Sequence, residues 1–302
     1  MYLIKNDEKN LSLSVNLNGG SISYFKFKNK YLNKFTDVFR SEKKNMKFEI
    51  TKTACFPLVP FCNRINKNKF LYKNRIYKLR NNSKLGKYYL HGDGWLNKWQ
   101  ILKKTNNSIE MQFLKKKNEL SPYEYLSRQK FILFKNKLKI YLSVKNLNDN
   151  ALPFGLGLHT YYPMNEQTKL YAKSKTYWLE NNDFIPTKIV NNSKEMNFNK
   201  PRTLPNKWIN NCFNNWDGKA AIYWPEKKMT LKVSSSNNCK YFFLFVSDNN
   251  FEKNFKNDYF SFEPMTHAVN AHNLKKKDGL IELKKNQTLR SNYSFTINMH
   301  ND

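Results

Sequence analysis

Along most of this chain apolar side chains either alternate with polar ones or gather in short β-branched and aromatic runs that stop at Asn, Asp, Gly or Lys-Asn pairs. A strand turns successive side chains to opposite faces, whereas an amphipathic helix repeats apolar residues at i, i+3 and i+4, a spacing that few stretches here sustain. The pattern predicts a mostly β protein. Residues 70–79 have two β-prone halves around Lys73-Asn74, which suits a tight hairpin. Residues 130–144 repeat the form around Lys135-Asn136-Lys137, and 220–224 with 229–233 make a third hairpin turned at Pro225-Glu226-Lys227-Lys228. Further strands are expected at 108–114, 241–246, 259–263 and 291–297.

Strands recur from one end to the other and no Pro/Gly/Ser linker divides them, so one continuous β domain spanning residues 1–302 is the economical reading. An all-β chain of this length closes or doubles its sheets to limit exposed edges, which predicts a large sandwich. The Asn-rich stretches 181–199 and 248–257 read as surface loops. No internal repeat of fixed period is found.

Composition agrees with a packed core: 40% of the residues are apolar and 16% aromatic, far from the make-up of a disordered chain. The longest apolar or Pro run, residues 54–62, is nine residues, about half of what a membrane-spanning helix needs. The first residues reach charge before a signal-peptide core can develop, so a cytoplasmic location without membrane contact is expected. Cys55, Cys62, Cys212 and Cys239 lack C-x-x-C spacing and read as reduced thiols.

The formal charge of +30 raises nucleic acid or another anionic partner. However, the 53 basic residues comprise 46 Lys and seven Arg beside 45 Asn. Lys, Asn, Phe, Tyr and Ile all have A/T-rich codons, so an explanation from base composition competes with a functional one. Arg, the residue suited to bidentate reading of guanine or phosphate, is scarce, and the Lys runs at 115–117, 275–277 and 284–285 form no basic arm. No specific nucleic-acid partner is expected.

Among five histidines, His91 opens His91-Gly92-Asp93-Gly94-Trp95, where the glycines permit a backbone path that brings the ring to a ligand; an incidental turn histidine fits equally. His159 ends an apolar strand that begins at Pro153 and precedes Tyr161 and Tyr162, as a satisfied core histidine also would. Glu263 is a carboxylate in the β-prone run 259–263, a place where desolvation raises its pKa. A His/Glu pair facing one substrate would suit proton transfer near neutral pH. His267 and His272 lack metal-ligand spacing, so no metal is expected. The Gly-x-Gly-x-x-Gly, Walker and Gly-x-Ser-x-Gly patterns are absent.

Taken in order, several segments resemble the aldose 1-epimerase (galactose mutarotase-like) family over nearly the whole chain. They are the glycine turn Asn18-Gly19-Gly20-Ser21-Ile22, the Asn63-Arg64-Ile65 segment, the His91-Gly92 motif, Ser121-Pro122-Tyr123 with Gln129-Lys130-Phe131, and the strand leading to His159. Phe213 with Trp216-Asp217-Gly218 and Glu263-Pro264-Met265-Thr266-His267 complete the series. The resemblance implies an all-β sandwich of the galactose mutarotase-like (supersandwich) type and an isomerase that interconverts sugar anomers without a cofactor. By that resemblance Glu263 is the general base for the anomeric hydroxyl and His159 the general acid for the ring oxygen. Asn63, Arg64 and His91 hold the sugar. Trp95 and Trp178 are candidates for an aromatic face to the sugar, with core packing as the plainer role of Trp178, and His267 supports the Glu263 loop.

The chain departs from the family at Asn210, where relatives often have Asp, which bears on hexose preference because an amide cannot accept as an anion. The expected partner is a small-molecule sugar, a free aldohexose first, with the protein a monomer or weak homodimer. Two alternatives stand beside this. One is a hexose-6-phosphate mutarotase with Arg75, Arg80 or nearby lysines around the phosphate; the other is a non-catalytic carbohydrate-binding protein of the same fold.

Overall fold

A computed structural model describes residues 1–43 and 47–300. Among them the ordered elements are 24 strands and five three-residue 3-10 turns, so the mostly β reading holds. Among the described residues no helix is long and apolar enough to cross a membrane.

The expected hairpins form. Lys69–Tyr72 pairs with Arg75–Lys78, and Lys73 and Asn74 between them both take positive φ, as a two-residue turn of this hand requires. Tyr125–Phe134 pairs with Lys137–Asn146 through Lys135 and Asn136 alone, one residue tighter than the predicted turn. Lys219–Trp224 pairs with Met229–Ser235 across a turn at Pro225–Lys227. The loop expected at 181–199 is corrected in part: Pro186–Asn191 is a strand paired with Thr176–Glu180. It lies at a sheet edge and is mostly exposed, a position that tolerates its initial Pro and its polar neighbours.

Two large sheets make up the structure. One has eleven strands and runs from Tyr2–Lys5 through Leu11–Asn16, Ser21–Asn29, Cys55–Leu58, Gly157–Pro163, Tyr259–Met265, Tyr241–Val246, Ile209–Asn214 and Thr176–Glu180 to Pro186–Asn191, with Lys34–Phe39 also paired to Ser21–Asn29. The other has nine strands, centred on Met229–Ser235, Thr288–Met299, Lys137–Asn146 and Tyr125–Phe134. Their facing sides share one apolar core that joins Leu13, Phe25 and Phe39 of the first sheet to Leu133, Ile140 and Phe295 of the second. The Phe39 and Phe295 rings meet edge to face at 5.0 Å.

The two sheets differ in how they meet water, and that difference locates the site. Strands of the nine-stranded sheet alternate buried and exposed residues, as in Lys137–Asn146, because one face packs on the core and the other is solvated. Cys55–Leu58 and Tyr259–Met265 are buried at every position, and Gly157–Pro163 at all but its last. Their second face lies under a separate cluster that includes Phe56, Trp95, Tyr161, Phe243 and Tyr259. That covered face is the floor of a cleft.

The period-two burial has a direct test. Ile140→Ala, on the core side, is expected to lower unfolding free energy by about 2–5 kcal/mol, and Lys139→Ala on the solvated side by under about 0.5 kcal/mol. Urea denaturation with unchanged m-value measures both.

Candidate active site

Cross-strand register assembles the site. Phe56 stands opposite His159, and Glu263 opposite Phe243. The pairing of Gly157 with Met265 and of Tyr161 with Ser261 sets His159 across from Glu263 between them. One row of side chains therefore crosses four strands: Phe56, His159, Glu263, Phe243. The next row on the same face carries Tyr161, Ser261, Phe245 and Asn210.

Both members of the central pair are buried, and His159 Nε2 lies 3.1 Å from Glu263 Oε1. Ser261 Oγ stands 3.2 Å from His159 Nδ1 and donates to the Thr160 carbonyl at 3.1 Å. Ser261 Oγ also reaches Glu263 Oε1 at 3.3 Å, and whichever of the two oxygens takes its proton, Nδ1–H donates to Ser261 and Nε2 faces the carboxyl. The Phe56 ring stacks on His159 at 4.5 Å. Burial pushes the Glu263 carboxyl up to about 8, against smaller opposing contributions from Ser261 and Arg64. Burial, with the Arg40 charge behind it, pushes His159 down to about 3. Both shifts disfavour the charged form, so the resting pair is a carboxylic acid donating to a neutral imidazole. Glu263 Oε2 is buried with no protein partner among the described residues.

The remaining expected residues gather at the same cleft, of about 280 Å³, which Asn63, Arg64, His91, Trp95, His159, Asn210 and Glu263 all line. Asn63 and His91 both have positive φ, 57° and 58°, a region that non-glycine residues seldom occupy. They hold each other there: the Asn63 N–H donates to His91 Nδ1 at 3.0 Å, and the His91 N–H donates to the Asn63 carbonyl at 2.9 Å. With Nδ1 accepting, and the pKa pushed well down by burial, His91 is a neutral ring offering Nε2–H to a ligand. Gly92 must be glycine, since a Cβ there would stand 2.2 Å from the Val59 carbonyl oxygen. Asn63 Oδ1 accepts from the Arg64 N–H at 2.9 Å and from its guanidinium at 3.3 Å, while the guanidinium lies over Phe184 at 4.9 Å.

His267 is outside the cleft. Its Nε2 accepts the Cys62 N–H at 2.9 Å and its Nδ1 reaches the Ala268 carbonyl at 2.7 Å, tying the 59–64 segment to the chain that follows Glu263. Trp178 does not line the cleft and its Nε1 donates to Asn214. Arg75 and Arg80, considered as phosphate ligands, are also elsewhere: Arg75 is on the exposed hairpin over Tyr77, and Arg80 pairs with Glu119.

Several lining residues carried no signal in the sequence. The aromatic wall is Trp208, in ring contact with Phe184, Phe245 and Phe251 at 5.0–5.8 Å; Phe251 belongs to an Asn-rich stretch expected to be merely a surface loop. Arg40, which does not itself line the cleft, lies between the rings of two residues that do, Tyr161 and Tyr259, at 3.8 and 4.1 Å. Lys52 pairs with Glu252 at 3.1 Å at the cleft, and Tyr259 also donates to Glu252. Among the described residues no cluster of three or more His, Cys, Asp or Glu is arranged to hold a metal ion.

The family profile for aldose 1-epimerase matches residues 1–296. An uncharacterized protein of Escherichia coli K12, YphB, is 35% identical over 248 residues, which is 82% of this chain and 84% of that protein. A crystal structure from Escherichia coli K12, provisionally described as an aldose 1-epimerase, superposes with a TM-score of 0.92 at 33% identity over 99% of each chain. A galactose mutarotase-like protein from Clostridium acetobutylicum shares the fold, with a TM-score of 0.82 at 21% identity over 96% of this chain and 93% of its own.

The Glu263 shift predicts a pH dependence of stability. From its ordinary 4.5 to about 8 the folded state holds a proton that the unfolded state has released. The carboxyl's relative contribution is therefore most favourable below about 4.5 and is lost as pH rises to about 8. Relative to Glu263→Gln, the wild-type denaturation midpoint should fall across that window and run parallel above it.

Proposed function

This chain belongs to the aldose 1-epimerase family, and we propose that it is a mutarotase that interconverts the α and β anomers of free aldohexoses. The observation that carries the reading is the buried contact between His159 Nε2 and Glu263 Oε1 at 3.1 Å in one cleft, with Glu263 Oε2 lacking a partner among the described residues. The hydroxyl oxygen and ring oxygen of a cyclic sugar are bonded to the same carbon, so an acid and a base serving both must be close neighbours. Two groups in hydrogen-bond contact meet that demand.

The pair carries one proton, and the reaction uses its two tautomers in turn. In ring opening, Glu263 as carboxylate takes the proton of the anomeric hydroxyl while His159 as imidazolium protonates the ring oxygen, and the C1–O5 bond breaks. This leaves Glu263 protonated, His159 neutral and the sugar an open-chain aldehyde. After rotation about C1–C2 the same groups act in reverse: Glu263 protonates the carbonyl oxygen, His159 removes the proton of the attacking hydroxyl, and the other anomer closes. The resting acid–imidazole form is thus the one that faces the open chain, and one transfer across the 3.1 Å contact resets it. His91 Nε2–H and the Arg64 guanidinium act as preorganised donors to sugar oxygens and developing charge, and the Trp208 wall offers an apolar face to ring C–H groups.

Charge favours an unphosphorylated substrate. Of the two cations among the described lining residues, Lys52 is paired with Glu252, and Arg64 lies in the field of Glu180 and Glu263. That leaves Arg64 as the one cation without an ion pair among the described lining residues, whereas a phosphate dianion prefers several clustered, unshared Arg or Lys.

Anomer exchange by NMR or polarimetry over free and phosphorylated hexoses tests the reading. Free aldohexoses should be exchanged faster than buffer and with higher kcat/KM than their 6-phosphates. Glu263→Gln and His159→Asn should each lose roughly 10²–10⁴-fold in rate with folding intact. No exchange above buffer for any hexose would reduce the protein to a sugar binder.

The pH profile is a second check. The pair holds its single proton between about 3, where His159 takes another, and about 8, where Glu263 releases the last. The rate should therefore be level through neutral pH and decline as pH passes about 8.

A further inference from the structure

Two residues that line the cleft, Trp208 and Asn210, hydrogen-bond a carboxylate that does not itself line it and to which the mechanism above gives no role. Glu180 ends the strand Thr176–Glu180, where the register with Pro186–Asn191 shifts between Leu179 and Glu180. A bulge of this kind re-aims the side chain beside it. The register of Thr176 with Asn214 and of Tyr177 with Phe213, continued to the strand's end, brings Glu180 opposite Asn210. Asn210 Nδ2 donates to Glu180 Oε2 at 2.5 Å, and Trp208 Nε1 donates to Glu180 Oε1 at 3.2 Å.

Both carboxylate oxygens accept hydrogen bonds, and an ionised carboxylate can only accept. An asparagine amide has one accepting end and one donating end. Since the donating end of Asn210 is held by Glu180, the amide has a single orientation. Its Oδ1 has no donor among the described residues, and Asn210 lines the cleft. We propose that Glu180 is a positioning residue that turns the Asn210 amide so that its oxygen accepts a hydrogen bond from a hydroxyl of the bound sugar. This inference rests on the cleft being a sugar site, but not on the proton-transfer roles of His159 and Glu263.

The arrangement makes an unusual prediction about pairs of substitutions. Asn210→Asp alone sets two carboxyls against each other at the 2.5 Å contact; they can share a proton, and as rising pH removes it their repulsion should disrupt the wall, so this variant's sugar affinity should fall with pH more steeply than that of wild type. Asn210→Asp with Glu180→Gln exchanges donor and acceptor: the new amide donates to the new carboxylate, which still presents an oxygen to the sugar. Because the exchange also restores the hydrogen bond itself, the readout that a merely structural role would not move is sugar KM and Kd changing while kcat and the unfolding midpoint stay near wild type.

Anomer-exchange kinetics and equilibrium sugar titration by NMR, on glucose and galactose, test this with the full chain. Glu180→Ala should raise KM and Kd by roughly 5–30-fold, the worth of one oriented hydrogen bond, with a much smaller change in kcat. Asn210→Asp should weaken binding further, and Asn210→Asp/Glu180→Gln should return KM and Kd to within about threefold of wild type, less than the change expected for one hydrogen bond. A double variant no better than Asn210→Asp overturns the proposal, as does an Asn210→Asp variant whose binding follows wild type at every pH. Wild-type protein that binds sugar with this pattern of repair but exchanges no anomers sinks the mutarotase reading and leaves the proposal standing. Protein that neither binds nor exchanges overturns both.

Discussion

Everything at the cleft depends on one buried hydrogen bond, between an imidazole and a carboxyl held opposite each other on adjacent strands. In water a carboxylate of ordinary acidity would ionise at neutral pH and leave the histidine to titrate separately. Under Phe56, Tyr161 and Phe243 the charged forms lose hydration, and the proton is kept between the two groups. The result is a pair that carries no net charge and whose two tautomers differ by one short transfer. Such an arrangement stabilises the fold poorly, because a buried polar pair recovers little more than its desolvation cost. The large apolar core on the opposite side of the same sheet supplies the cohesion the pair does not.

That division of labour follows from the sheet itself. Alternate residues on one strand face opposite sides, so the chain that puts His159 into the cleft puts Leu158 and Thr160 on the other face. Packing on the core face fixes strand position, and strand position fixes the distance from His159 to Glu263. Where the regular sheet ends, less regular backbone takes over. Asn63 and His91 occupy the left-handed region, which Asn and His enter more readily than other non-glycine residues, and mutual hydrogen bonds hold them there.

Electrostatics at the cleft also differ from electrostatics of the whole molecule. The chain carries a formal +30, spread over many lysines. Within the cleft, Lys52 faces Glu252, and Arg64 lies in the field of Glu180 and Glu263. Over distances beyond a Debye length the surface lysines are screened, so the local pairing, and not the surplus, governs what the cleft accepts. This is why Arg75 and Arg80, reasonable phosphate ligands on charge alone, have no part in it: one stacks on Tyr77 and the other pairs with Glu119, both away from the cleft.

Much was legible before any coordinates. The hairpins at Lys73-Asn74 and Lys135-Asn136 depend on turn residues and alternation within about ten positions, and such short-range preferences are written locally. The His91, His159 and Glu263 segments were visible because each sets a polar residue in an unusual run. Other features were not. The strand Pro186–Asn191 is hidden among asparagines because its stability comes from pairing with Thr176–Glu180 and not from an apolar face of its own. Trp208, and not Trp178, reaches the cleft, and Phe251 joins it from a stretch that reads as plain loop. Residue types and local turns follow from neighbours along the chain, whereas the meeting of residues 159 and 263, the shift of their pKa values and the hold of Glu180 on Asn210 follow from strands far apart in sequence pairing in one register. Burial is set by whatever the rest of the chain brings to cover a group, and only the folded molecule contains that cover.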